Sequence, residues 1–181
     1  MSNLATTRIL LLQPAQTAHA GSAKPWLWPL PRLDGAAPCV LSPGLPARAD
    51  GLAQLGYREG ISSSELVPVF APHDGAITYA ARADDGGMLC LDHPGGWSTS
   101  YGGLHTVLAR SRDRCSGRRR PRVRSGDVIG YLRGPLCLGF AFSRWEDGAW
   151  TTVDLVESLG AWSFQPWFTA LASGAGSAVA I

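Results

Sequence analysis

Asp92-His-Pro-Gly-Gly-Trp-Ser-Thr-Ser-Tyr-Gly-Gly-Leu104 and Leu136-Cys-Leu-Gly-Phe-Ala-Phe-Ser143 are the two stretches on which the fold turns. In the second, Leu136, Leu138, Phe140 and Phe142 are large and apolar, while Cys137, Gly139, Ala141 and Ser143 between them are small. A period of two is that of a strand with one face in a core, and here the other face is pared down. Val67-Pro-Val-Phe-Ala-Pro-His-Asp-Gly75 and Ser125-Gly-Asp-Val-Ile-Gly130 add further short apolar runs bounded by turn residues. Strands are expected near residues 66–71, 75–81, 87–92, 97–101, 104–109, 128–133 and 136–143, with a helical turn at 153–159. Residues 33–64 read as mostly loop, with Ser42-Pro-Gly44 a turn.

Taken together, these stretches resemble the M23 family of zinc peptidases, the LytM or lysostaphin-like peptidoglycan endopeptidases. That family carries, in order, H-x-G-[ILV]-D, P-V-x-A-x-x-D-G, H-x-x-G-x-x-T-x-Y-x-H-L, G-D-x-I-G and H-L-H-F-E. The resemblance implies an all-β fold, an M23-like antiparallel β-sheet and barrel sandwich with long loops and little helix. The segment Trp26-Leu-Trp-Pro-Leu-Pro-Arg32 is similar to the family's W-P-x-P lead-in, and its prolines suit an extended approach.

The scaffold residues match and the chemical ones do not. Arg58-Glu-Gly-Ile-Ser62 is taken as the first motif, which sets Arg58 at a zinc-binding His and Ser62 at a zinc-binding Asp. Gly139 then stands at the third zinc ligand, and Gly103 and Cys137 at the two catalytic His positions. A catalytic zinc needs three protein donors and an open position for water, and a guanidinium does not deprotonate to become a donor. The expectation is a pseudo-peptidase with no cofactor and no metal. Arg58, Tyr101 and Cys137 are expected to line what remains of the groove, with Arg58 setting a guanidinium where the cation sat.

Four cysteines, Cys39, Cys90, Cys115 and Cys137, show no C-x-x-C spacing. A Cys137 nucleophile activated by His93 or His105 lacks an orienting third group. A zinc site rebuilt from Cys137, His105 and His93 is set aside because Leu104 and His105 should point to opposite faces, and Gly103, not His105, shares the side of Tyr101. His93 matches a family position that is not a ligand, and His73 in Pro72-His-Asp-Gly75 is expected in an exposed turn.

At 181 residues with balanced composition the chain suits one domain: an arm over 1–25, the M23-like domain over 26–165 and a tail over 166–181. Fifteen of its sixteen basic residues are arginine, and eight of these lie between Arg110 and Arg124 against one acid, Asp113. That run sums to +7 in a chain of net +2, so the remainder sums to −5. Arg112, Arg114, Arg118, Arg119, Arg120, Arg122 and Arg124 are therefore expected to form a basic loop at the domain rim, solvated, docked on an acidic partner, or binding a phosphate-rich one such as nucleic acid, teichoic acid or lipopolysaccharide. Peptidoglycan is a second candidate partner there, through the family resemblance. Arg8 and Ile9-Leu-Leu-Leu12 are too short an apolar run for an export signal. No run approaches a membrane span, so synthesis in the cytoplasm is expected, with the chain built into a virion or secreted particle. The first functional expectation is an inactive module for structural assembly or cell-wall contact, for example in a phage tail, with the arm and tail binding other subunits. A regulator of peptidoglycan hydrolases and an active zinc endopeptidase with displaced ligands are the alternatives.

Overall fold

Short strands separated by glycine and proline turns build two antiparallel sheets in the computed structural model, which describes residues 24–33, 36–42, 52–58, 66–82, 86–108, 120–134, 136–160 and 162. Residues 1–23 of the arm, Ser62, Cys115, the arginines from Arg110 to Arg119 and the tail lie outside the described residues. In chain order the strands are β1 (Cys39–Ser42), β2 (Ala53–Gly56), β3 (Val67–Phe70), β4 (Gly75–Ala81), β5 (Gly87–His93), β6 (Trp97–Leu104), β7 (Thr106–Val107), β8 (Arg122–Val123), β9 (Val128–Leu132), β10 (Cys137–Glu146) and β11 (Ala149–Thr152), followed by α1 (Leu155–Gly160). The larger sheet runs β1-β2-β10-β6-β5-β4-β8, with β11 pairing the distal half of β10, and the smaller runs β3-β9-β7. The architecture is the mainly β sandwich expected, with one short helix among the described residues.

The core lies between the sheets. Leu55, Leu89, Leu91, Tyr101, Phe140 and Phe142 enter it from the larger sheet, and Val67, Val69, Val107, Ile129 and Leu132 from the smaller. Trp26, Trp28 and Leu30 are equally buried, so the lead-in is part of the core rather than an approach to it. Trp26 stacks on Trp162 with ring centroids 5.0 Å apart and packs against His73, His93, Trp97 and Phe142. His73 is accordingly buried, not in an exposed turn. The helix starts at Asp154, whose carboxylate accepts the backbone N–H groups of Val156 and Glu157, as an N-cap does.

Several elements depart from expectation. Residues 33–64 hold β1 and β2, four-residue strands too short to show an alternation. β8 falls inside the arginine run and pairs with β4 through Gly75↔Val123 and Ala76↔Arg122. β10 continues to Glu146 and returns through a hairpin at Asp147-Gly148, both at positive φ, the backbone of a type I′ turn.

Candidate functional site

The alternation of β10 sorts its side chains as the sequence suggests. Leu138, Phe140 and Phe142 are fully buried, while Cys137 and Gly139 lie half-buried on the opposite, open face. β6 flanks β10 on one side, pairing Gly139 with Gly102. β2 flanks it on the other, pairing Gly139 with Gln54 and Cys137 with Gly56. Residues two apart on a strand share a face, so Leu52 and Gly56 bracket Gln54 on the face that carries Gly139.

This register relocates the first motif. Leu52-Ala-Gln-Leu-Gly56 has the ligand spacing of H-x-G-[ILV]-D, with Leu55 at its branched apolar position, and it lies beside Gly139 as a ligand-bearing strand must. The register thus sets Leu52 and Gly56, rather than Arg58, on the face beside Gly139, and Ser62 lies outside the described residues. Arg58 lies beyond the end of β2 and is exposed.

Leucine side chains and backbone fill the space that ligands would need. A Cβ on Gly102 would lie 2.8 Å from Leu52 Cδ1, and one on Gly139 3.0 Å from the same methyl. On Gly56 it would lie 2.5 Å from the carbonyl oxygen of Leu136 and 2.7 Å from Leu41 Cδ1. Leu52 thus lies over the Gly102 and Gly139 pair, and the backbone has closed against Gly56. Around Gly139 this face offers Leu52, the neutral Gln54 amide, glycines and the Cys137 thiol, whose pKa burial pushes up and which therefore stays protonated. Among the described residues no three His, Cys, Asp or Glu side chains converge. The described residues on this face do not fit a zinc ion, which needs deprotonated donors on three sides.

Two further placements correct the sequence reading. Tyr101 does not line the groove; it is fully buried in the core. The cause is a bulge: Leu89 pairs with Tyr101 and Gly87 with Leu104, so β6 spends one more residue than β5 between the two pairs. Gly103 takes up that extra residue at φ +75°, the conformation a glycine bulge requires. Tyr101 and Leu104 therefore both face inward, and Gly103 is exposed rather than sharing Tyr101's side. His105 is exposed as well, whereas His93 lies on the core face, opposite Cys137, so neither dyad nor rebuilt zinc site assembles.

The histidine, threonine and tyrosine of the third motif form a buried hydrogen-bond chain. His93 Nδ1 is 3.0 Å from the carbonyl oxygen of Asp74, which can only accept, so Nδ1 carries the proton. Nε2 must then accept from the Thr99 hydroxyl at 2.7 Å, and Thr99 Oγ1 in turn accepts from the Tyr101 hydroxyl at 2.9 Å. Burial is the main cause that lowers the His93 pKa to about 4, with the Asp74 carbonyl opposing it. Burial also raises the Tyr101 pKa. Both groups stay neutral at physiological pH, and their role is to hold the β5–β6 turn to the Asp74 loop.

No family model matches the chain, and no curated protein matches it. Among solved structures, it is similar to the Ruminococcus gnavus protein assigned as glycyl-glycine endopeptidase LytM, with a TM-score of 0.55 and 16% identity over 76% of this chain and 60% of that one. It is also similar to a chain of the SpoIIQ–SpoIIIAH pore-forming complex, with a TM-score of 0.50 and 16% identity over 86% of this chain and 100% of that one. The fold is that of the LytM-type domain; the chain spans about three fifths of the length of the first of these proteins. Leu52 and Gly56 escaped the sequence reading, although their four-residue spacing around Leu55 was the signal that could have found them.

Proposed function

We propose that this chain is a non-catalytic LytM-fold module that works by holding other protein subunits. One observation carries the reading: the open face where the fold would bind zinc is occupied by Leu52 over Gly102 and Gly139, with the Leu136 carbonyl against Gly56. Catalysis by a zinc-activated water needs a positioned ion, and a fold without its site does not imply the activity. The likeness to a chain from a protein complex supports an assembly role. No helix among the described residues is long and apolar enough to cross a membrane.

The test is to incubate the purified full chain with peptidoglycan and added zinc and to measure new amino termini. None above the zinc-only control is expected; zinc-dependent release would contradict the reading. Isolation of the chain from its source organism should yield it with other subunits in fixed ratio. A part of a phage tail or other wall-contacting particle is the finer form of the same reading, and it predicts co-sedimentation with particles. A regulator of hydrolases would instead stimulate a separate wall hydrolase.

A further inference from the structure

The function proposed above makes no use of the arginine run, and the described end of that run is a built feature rather than a loose loop. Arg122 sits in β8 at the edge of the larger sheet, paired through its backbone with Ala76, which itself pairs with Asp92. Directly paired residues share a face, so Arg122 and Asp92 project to the same open side as Gly139. Arg120 reaches that side too, its Nη1 lying 3.1 Å from Asp92 Oδ2. Arg124 is the next alternate residue in the sequence. Arg120, Arg122 and Arg124 are all exposed.

The backbone beneath these side chains is held at several points. The carbonyl of Pro121 accepts Ile77 N–H at 2.8 Å, Arg124 N–H donates to Asp127 Oδ2 at 2.7 Å, and Ser125 N–H donates to Asp74 Oδ1 at 2.8 Å. The nearby acids are already engaged. Asp92 pairs with Arg120, Asp74 with Lys24, and Asp127 closes the turn. Arg122 and Arg124 form no ion pair among the described residues, so they present unbalanced positive charge from a fixed edge. Beside them the sheet offers only short side chains on the same row: Ala76, Asp92, Ser98, Ser143 and Thr152.

We propose that the β8 edge, through Arg120, Arg122 and Arg124, binds a phosphodiester polyanion. Guanidinium groups suit this ligand because each presents a fixed fork of donors that matches phosphate oxygens, at full charge at every physiological pH. Three positive side chains at one sheet edge attract such a polymer from solution.

The experiment measures binding of the full chain to a labelled mixed-sequence oligodeoxynucleotide and to poly(glycerol phosphate) by fluorescence anisotropy across a salt series. Affinity for at least one polymer is expected to fall linearly with salt on logarithmic axes. The Arg122→Ala, Arg124→Ala double variant should weaken binding by about tenfold and reduce the salt slope by about 1.4, at about 0.7 per phosphate contact on a flexible single strand. Replacement of both residues by lysine should restore the slope while leaving affinity below the natural chain, since a lysine supplies charge without the bidentate fork. Unchanged thermal unfolding of the alanine variant guards against misfolding, because both side chains are exposed. Binding to only one polymer supports the proposal and names the source of the phosphodiester. Absence of salt-sensitive binding to either, or an alanine variant that matches the natural chain in affinity and slope, would overturn it.

Discussion

His93 is buried, neutral and obliged by its partners to accept at Nε2, so protonating it must cost stability. Its folded pKa lies near 4 against 6.5 for an ordinary histidine. The unfolded chain therefore takes up the proton first as pH falls through 6.5, and the folded state loses stability from there down to about 4. Its contribution is present in full above 6.5 and flat below about 4. For this shift, linkage gives a loss of about 2 kcal/mol between about pH 7.5 and about pH 5. Asp74, whose carboxyl is held low by its hydrogen bond to Lys24, also loses stability on acidification, but below the histidine window. Urea unfolding at a series of pH values reads the effect directly, and the His93→Gln variant removes the titrating group while keeping a polar side chain. The natural chain should show the slope between 6.5 and 4 and the variant should lack it. Superimposable pH profiles for the two proteins would refute the buried, directed chain from Asp74 through His93 and Thr99 to Tyr101.

Other consequences are as direct. Gly56→Ala drives a Cβ against the Leu136 carbonyl and should cost about 1–3 kcal/mol, whereas Gly139→Ala meets the end of the Leu52 side chain closely and the Gly102 backbone only at ordinary contact distance and should cost less than about 1 kcal/mol; chemical denaturation of both ranks them. Thr99→Val leaves both His93 Nε2 and the Tyr101 hydroxyl without a partner and should cost about 2–4 kcal/mol, against about 1 kcal/mol for Tyr101→Phe. Asp154→Ala removes the cap of α1 and should lower stability by about 1 kcal/mol, with Asp154→Asn recovering most of it in thermal unfolding.

Apart from β8, the strands between Val67 and Phe142 were legible because alternation and turn residues are local signals that survive in a single sequence. β1 and β2 were not, since four residues among glycines and prolines carry too little period to stand out. That gap also hid the site. Leu52 and Gly56 acquire meaning only from their register against β10, a contact more than eighty residues away in the chain, while Arg58-Glu-Gly60 offered a glycine at the motif's spacing and drew the alignment to itself. Tyr101 failed for a different reason: simple alternation put it beside Gly103, and the bulge at Gly103 rotated them to opposite sides. His73 and Trp26 looked like turn and lead-in residues because their burial depends on Trp162, distant in sequence. That positions 103, 137 and 139 carry glycine, cysteine and glycine rather than histidine is a matter of residue type alone. Their replacement by packed leucine was not, because packing is a property of the assembled sheet.

The account rests on a pocket rebuilt in hydrocarbon where the fold would hold a metal. Elemental analysis of the full chain, loaded with zinc and then dialysed against metal-free buffer, measures this without assuming a substrate or partner. The account predicts zinc no higher than in the dialysis buffer, for the natural chain and for Leu52→Ala alike. One zinc retained per natural chain, and lost when the β2 or β10 positions are altered, would contradict it.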